Sequence, residues 1–301
     1  MTEPDANADD TEWDVAVVGG GPAGCSTGVF TAREGLDTVV FDRGRSSLRQ
    51  CAHLQNYLGF PAGIDIETFY ALAHDHAEAV GCEVVEDFVE SVERADGGGF
   101  VVEPQSGDPI RASRVVAATR YDADYLRPLD ADDEMYETHD HGGEEHEHFD
   151  RTYADSDGRT PIDGLYIASP VEEWSTQAIA AAGFGALVGR HVVGDARRER
   201  GYPEGLAERV DWLRQERARD EEWADPDRWR EYFDEHVPAD HDLSDDELDA
   251  LRESEVDDRL GRYVDDEEIE RRRQEAHDRI LEHLDDDRIR AYLDRTDEDG
   301  P

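Results

Sequence analysis

The run Trp13-Asp14-Val15-Ala16-Val17-Val18 is short and apolar and ends in Gly19-Gly20-Gly21-Pro22-Ala23-Gly24. A helix-like stretch, Cys25 to Arg33, follows it. A second apolar run, Thr38-Val39-Val40-Phe41, then closes on Asp42. Strand, glycine turn, helix, strand and acid in this order restrict the chain to an α/β fold that begins with a parallel strand pair. Within Gly19-x-Gly21-x-x-Gly24, the first glycine permits the tight turn and the second lets backbone approach a pyrophosphate. The third lets the helix pack closely on the strand. The helix N-terminus, with Pro22 and Ala23, offers unpaired N–H groups and a positive dipole end to phosphates. Asp42 lies 18 residues beyond Gly24, where a carboxylate can accept hydrogen bonds from a ribose diol, and Arg43 adjoins it. The unit as a whole points to dinucleotide binding.

The charge balance narrows the partners. Among 301 residues, 77 are acidic and 31 basic, for a formal net charge of −46, and every basic residue is Arg. The acids run along the whole length, so they form a surface and not an interaction tail. Such a surface suits a cytoplasm rich in salt, where molar salt screens charges beyond roughly 3 Å. No nucleic acid is expected as a partner, because its phosphates would be repelled. No membrane is expected either, since no apolar run is long enough to span one. Cys25, Cys51 and Cys82 are odd in number and widely spaced, and no Cys-x-x-Cys occurs, which argues against a disulfide framework. The N-terminus carries no apolar signal segment, so a soluble cytoplasmic protein is expected.

Organisation follows composition. Residues 1–12 read as a disordered acidic tail. Residues 13–127 and 160–200 read as one discontinuous Rossmann-like α/β domain with an accessory β region. That region starts at Val84-Val85 and continues in Phe88 to Arg94 and Phe100 to Pro104, around an Asp96-Gly97-Gly98-Gly99 turn. Val115 to Ala118 and Leu165 to Ala168 read as buried strands, and residues 128–159 as a solvated connector rich in His and acid. The stretch Gln177 to Val188 reads as a helix whose small residues suit close packing on a sheet or a cofactor. Residues 201–301 read as an acidic α-helical extension. There, Leu206, Val210 and Leu213 stand at helical spacing, and Ser244-Asp245-Asp246-Glu247 is a capping box. Asp265 with Glu268 repeats that start signal, and Ile280, Leu281, Leu284, Ile289 and Leu293 mark amphipathic helices. Trp212, Trp223, Trp229, Tyr232 and Phe233 are candidate anchors. This region reads as a helical cap or packing arm, with no catalytic constellation.

The glycine turn, taken with Asn56-Tyr57-Leu58-Gly59-Phe60-Pro61-Ala62-Gly63-Ile64, resembles the thioredoxin-reductase-like flavoprotein family, a pyridine nucleotide-disulfide oxidoreductase type, here with a haloarchaeal-type composition. The resemblance runs through Phe69 to Gly81 and resumes at Gly164-Leu165-Tyr166-Ile167-Ala168 and at Gln177 to Gly185. It implies an FAD-dependent oxidoreductase. The pyrophosphate would lie on the glycine turn, and Asn56, Gln177 and Ala178 would lie beside the flavin. A homodimer is a further implication. Residues 117–164 leave no room for the family's inserted NADPH domain beyond a unit of roughly 30 residues. The redox Cys pair of that domain is missing with it. The electron donor is therefore expected to be a small molecule or a protein. Two motif changes touch the cofactor site: Ala118-Thr119-Arg120 stands for the family's Ala-Thr-Gly, and Ser169-Pro170 for its Gly-Asp. Glu172 or Glu173 is a candidate substitute acceptor. A non-catalytic flavin- or NAD-binding scaffold is the alternative.

Some chemistry-bearing residues remain. Ser175, Thr176 and Gln177 either face the flavin's pyrimidine end or simply cap their helix. No catalytic residue is named outright. Cys51 and His53 are weak candidates as a thiolate–imidazole pair, against the plainer reading of a small filler and a loop histidine. The cluster His139-x-His141-Gly-Gly-Glu-Glu-His146-x-His148 carries metal-ligand chemistry. Its polar setting makes a hydrophilic linker the plainer expectation, so no metal is assigned.

Overall fold

The computed structural model describes residues 13–120, 123–141, 144–150, 152–168, 177–208, 212–239, 241 and 243–298, with the backbone alone at 139–146 and 297–298. The expected tail 1–12, Val210, and the residues Ser169, Pro170, Glu172, Glu173, Ser175 and Thr176 lie outside the described residues. The chain divides into two compact units, Met1–Val193 and Gly194–Pro301.

The first unit holds β1 (Trp13–Val18), α1 (Pro22–Arg33), β2 (Thr38–Phe41), α2 (Ile66–Ala79), β3 (Glu83–Val85), β4 (Val89–Arg94), β5 (Phe100–Pro104) and β6 (Ile110–Ala117). Then come β7 (Tyr136–His141), β8 (Glu144–Phe149), β9 (Leu165–Ile167) and the start of α3 (Ala178–Glu199). Seven strands form one sheet in the order β3-β2-β1-β6-β5-β4, with β9 also paired to β6. β1 is parallel to both β2 and β6, in register Val15↔Thr38 and Val15↔Arg114. β6 pairs antiparallel with β5 at Ile110 to Ala112 and parallel with β9 at Val115 to Ala117. The expected accessory β region is thus part of the main sheet. The central strands are buried on both faces, which is why Val15–Val18 and Thr38–Phe41 read as unbroken apolar runs.

Two expectations are corrected in this unit. Residues 128–159 are not a solvated connector: Leu129, Met135 and Ala154 are buried in the main core, with Tyr136, Phe149 and Tyr153 packed on it. Their apolar residues are few, but they sit at the base of the β7–β8 hairpin, where composition averaged over the segment hides them. The small residues of α3 do not act alike: Gly185 and Gly189 serve close packing on a helix and not on a sheet, while Ala178 and Ala181 line a cleft. A Cβ at Gly185 would stand 2.0 Å from the Ala23 carbonyl oxygen, and one at Gly189 3.0 Å from Thr27 O. The Thr27 hydroxyl donates to Gly185 O at 2.9 Å and ties the two helices together.

In the second unit, α4 (Glu204–Ala207), β10 (Arg214–Gln215), α5 (Pro226–His236), α6 (Asp245–Gly261), β11 (Tyr263–Val264), α7 (Asp266–Glu282) and α8 (Asp286–Glu298) follow one another. The capping box at Ser244 and Glu247 is present, and Asp265 caps α7 by accepting from Glu268 N. The helix suggested by Leu206 to Leu213 does not extend that far. Leu206 is fully buried and Leu213 is exposed, so the two share no buried face, and Arg214 pairs with Tyr263 as a strand. Trp223, Trp229 and Tyr232 stack on one another, Phe233 is buried, and Trp212 is exposed. A buried Arg197–Glu255 ion pair at 2.7 Å joins α3 to α6. Ile280, Leu281, Leu284, Tyr292 and Leu293 remain exposed.

Candidate functional site

A cleft of about 610 Å³ opens at the C-terminal ends of β1, β2 and β6, the edge where open parallel sheets bind ligands. The glycine turn forms its floor. Gly19 has φ +120, and a Cβ there would meet Ala118 O at 2.8 Å. Gly24 lies behind the floor, where a Cβ would stand 1.8 Å from Gly19 O and 3.2 Å from Val17. Gly21 is different, since a Cβ would find only the Tyr70 hydroxyl, 3.9 Å away. Its bare backbone therefore faces open cleft. Gly21 is also the N-cap of α1, Pro22 fills the first turn, and no side chain caps the helix. The first N–H groups of α1 are left for a ligand.

Asp42 closes β2 and is almost fully buried. Its Oδ1 accepts from Gly44 N at 2.9 Å, and Arg49 and His74 each approach Oδ2 at 3.4 Å. The same His74 Nε2 lies 3.1 Å from Gly20 O, so α2 ties the acid to the glycine turn. Gly20 is itself pressed against this acid, because a Cβ there would fall 2.4 Å from that of Asp42. Tyr70, one helical turn before His74, hydrogen-bonds Ser46 and lies under the Arg49 guanidinium at 4.2 Å. Burial pushes its phenol up to about 12. Burial, aided by the Asp42 charge, also pushes the Cys25 thiol up to about 12, and its Sγ donates to Gly20 O. Cys25 is a neutral packing residue, not a nucleophile.

The Asn56–Ile64 segment forms the facing wall. Leu54 and Ile64 close it with backbone hydrogen bonds of 2.8 and 2.9 Å. Tyr57 and Phe60 pack it on Phe69 of α2. Asn56 Nδ2 donates to Gln177 Oε1 at 2.7 Å. This bond joins residues 121 positions apart at one rim of the cleft. Arg43, Arg45 and Arg120 also line the cleft, a local excess of positive charge in a chain of net charge −46.

Of the residues predicted for the site, Gly19, Gly21, Pro22, Ala23, Asp42, Arg43, Asn56, Gln177 and Ala178 all line this one cleft, and Gly24 supports it from behind. Cys51 and His53 line it too, both exposed, but no hydrogen bond or ion pair joins them, so a thiolate–imidazole pair is not assembled. Instead the His53 ring packs on Gly63. Gly20, Arg45, Tyr70 and Phe88 were not foreseen in this lining, nor His74 behind it, whereas Arg120 lines the cleft as the altered Ala118-Thr119-Arg120 motif implied. Tyr70 and His74 carry one signal, their spacing of four on an amphipathic helix. Among the described residues no group of three or more His, Cys, Asp or Glu stands ready for a metal. The side chains of His139, His141 and His146 lie outside the described residues, and His148 is exposed. No helix among the described residues is long and apolar enough to cross a membrane.

Comparison with known proteins agrees with this geometry. A family model described as an FAD binding domain matches residues 12–54, which carry the glycine turn and Asp42. The thioredoxin reductase of Rickettsia conorii is 28% identical over 114 residues, 37% of this chain and 36% of that protein. That of Rickettsia felis is 27% identical over the same shares. The chain thus spans little more than a third of the curated relatives it matches. A thioredoxin reductase from Gloeobacter violaceus shares the fold, with TM-score 0.51 and 14% identity, over 67% of this chain and 98% of that one. The chain is thus similar to thioredoxin reductases over about a third of its length, shares a thioredoxin reductase fold, and carries a segment that matches an FAD binding domain.

Proposed function

We propose that the unit carrying this cleft binds FAD and acts as an oxidoreductase. The observation that carries the reading is the meeting, in one cleft, of a bare-backbone turn, an uncapped helix N-terminus, a buried acid and the Asn56–Gln177 amide pair. The residues fit the group. Gly21 and the first turn of α1 would hold the pyrophosphate, and Asp42 the adenosine ribose hydroxyls. Arg43, Arg45 and Arg120 offset phosphate charge. Asn56 and Gln177 offer amide donors and acceptors to the ring system. FAD supplies the hydride and electron chemistry, and the protein supplies position and electrostatics.

The reductant would come from outside the chain. Between β6 and β9 the described residues hold a 3-10 turn, Asp124–Leu129, and the β7–β8 hairpin, with no second βαβ unit. A small molecule or a partner protein would therefore deliver electrons, in a cytoplasm rich in salt. The test is the visible absorption spectrum of the protein purified in concentrated KCl, with acid release of the chromophore. Flavin bands with FAD released are expected, followed by bleaching with a suitable reductant. A folded, colourless protein that takes up no added FAD would refute the proposal.

A further inference from the structure

Two side chains converge on one carbonyl of the glycine turn. Gly20 O lies 3.1 Å from His74 Nε2 and accepts from Cys25 Sγ at 3.2 Å. The imidazole comes from α2, 54 residues further along the chain, and the thiol from α1. A carbonyl oxygen only accepts, so His74 Nε2 carries the ring proton. The same Nε2 stands 3.4 Å from Asp42 Oδ2, so one N–H serves both the turn and the acid. Burial keeps the Cys25 thiol protonated, and a thiol is a weak donor. The imidazole is therefore the stronger of the two holds.

The fold fixes the imidazole in this place. α2 starts where Asp65 accepts from Thr68 N at 2.9 Å, and it carries Ile66, Tyr70 and His74 four residues apart along one face. Ile66 and Tyr70 are buried, and the His74 side chain is 18% exposed. Tyr70 meets the His74 ring edge to face at 5.7 Å, while Arg49 reaches both the Tyr70 ring and Asp42 Oδ2. The Gly20–Gly21 peptide is trans, and in a planar trans peptide the C=O and N–H point in opposite directions. With Gly20 O drawn toward His74 and Cys25, the Gly21 N–H is turned the other way. Gly21 itself lines the cleft, and His74 stands behind that lining.

We propose that His74 is a positioning residue for the nucleotide. It holds the Gly20–Gly21 peptide in the orientation that presents the Gly21 N–H to the pyrophosphate. Through the same proton it keeps Asp42 in place for the adenosine ribose. This rests on the reading of the cleft as an FAD site and adds the residue that preorganises it. His74 acts through Gly20 and Asp42, not by contact with the nucleotide. Without the imidazole, the Gly20 carbonyl keeps only the thiol of these two donors, and the peptide is free to turn its oxygen toward the cleft. A carbonyl oxygen there repels phosphate oxygens. A donor already aimed needs no ordering when the ligand arrives, whereas a loose peptide has to be ordered first.

The experiment is calorimetric titration of the full chain in concentrated KCl, first with FAD and then with ADP, which carries the pyrophosphate and the ribose but no flavin. His74→Phe keeps an aromatic ring and removes the donor. It should weaken FAD about ten- to a hundredfold, and ADP by the same factor. His74→Gln returns an N–H near the place of Nε2 and should stay within about threefold of the parent for both ligands. That rescue separates positioning from packing, since Phe replaces the ring better than Gln does. In the parent without ligand, the ring nitrogen-15 resonances, assigned by their loss in His74→Gln, should place the proton of the neutral imidazole on Nε2. A parent that binds FAD while a folded His74→Phe binds it as tightly would overturn the positioning role and leave the cofactor reading intact. Equal losses in the Phe and Gln variants, or a ring proton on Nδ1, would do the same. A parent that binds neither FAD nor ADP would remove the cofactor reading and this inference with it. Circular dichroism checks folding; if His74→Phe fails to fold, His74→Met takes its place and the parent's nitrogen spectrum stands by itself.

Discussion

A single methyl group, placed at two glycines of one turn, separates the ligand of the cleft from the fold that builds it. At Gly21 the backbone is extended, φ −82 and ψ −173, a conformation any residue adopts. The nearest atom to an added Cβ is the Tyr70 hydroxyl at 3.9 Å. Gly21→Ala therefore costs the fold nothing sterically. The gain from a stiffer unfolded chain, about 0.4–1 kcal/mol, offsets a loss of similar size from a poorer N-cap. At Gly24 the same methyl would stand 1.8 Å from Gly19 O, a backbone atom held by the Gly19 N to Phe41 O bond. Ordinary contact requires β1 and α1 to part by more than an ångström, and overpacking of that kind costs about 1–3 kcal/mol or more. Thermal unfolding should place Gly21→Ala within about 3 °C of the parent and Gly24→Ala lower by several degrees. FAD titration, followed by flavin fluorescence, should show the reverse order of damage. A methyl in the path of the pyrophosphate forfeits at least one hydrogen bond to a charged group, about 1.5–3 kcal/mol, or roughly ten- to a hundredfold in affinity. A folded Gly21→Ala protein that binds FAD as tightly as the parent would refute the placement of the pyrophosphate.

Arg197→Met leaves Glu255 buried with Arg259 alone at 2.7 Å. A loss of about 3 kcal/mol, the low end for a broken buried pair, is expected in denaturant unfolding followed through Trp223 and Trp229. A loss below about 1 kcal/mol would mean that the pair carries no weight. The thiols of Cys25 and Cys82 are pushed up to about 12 by burial, against the usual 9. The unfolded chain gives up these protons near 9 while the native state keeps them. Their contribution to stability is therefore complete below about pH 9 and is lost as pH rises toward 12. The melting temperature should fall over that range, less steeply in C25A/C82A, and a thiol reagent below pH 9 should label only the exposed Cys51 rapidly. Equal labelling of all three would contradict the burial. FAD affinity should rise with KCl, the opposite of a basic nucleotide-binding protein, and a fall with salt would contradict the role given to net charge.

What was legible in the sequence was what is local. The β1–α1–β2–Asp42 unit is continuous, and each glycine acts on atoms nearby in the chain or in the paired strand, so pattern and spacing sufficed. The Asn56–Gln177 bond spans 121 residues and was reached only through the resemblance of two separated segments. His74 was invisible because its partner on the turn is the backbone carbonyl of Gly20, 54 residues away, and a carbonyl leaves no mark in a sequence. The hairpin was misread because Met135, Tyr136 and Phe149 are single apolar residues in an acidic field, and only the fold shows that they converge on one core. Leu206 to Leu213 erred in the other direction: three apolar residues at helical spacing need a common surface to pack on, and Leu213 has none.

The cleft's charge runs against that of the chain, and its construction answers this. A pyrophosphate approaching a surface of net charge −46 is repelled over the Debye length, about 30 Å in dilute buffer and about 3 Å in molar salt. Attraction that acts over long distances would be screened along with the repulsion. Attraction at hydrogen-bond distance is not, and the cleft relies on that kind. The N–H groups of the turn and of α1 act at contact and carry no ionic charge. The basic side chains that line it are all Arg, whose planar fork binds phosphate oxygens in pairs and sheds water more readily than an ammonium. Of the two acids that line it, Asp42 is already engaged by Gly44 N, Arg49 and His74, and Asp87 accepts from the backbone N–H groups of Phe88, Ser106 and Gly107, so both are partnered before a ligand arrives. Salt therefore removes the obstacle to binding while leaving the contacts that hold the ligand, and for this chain an acidic surface and an anionic cofactor are compatible.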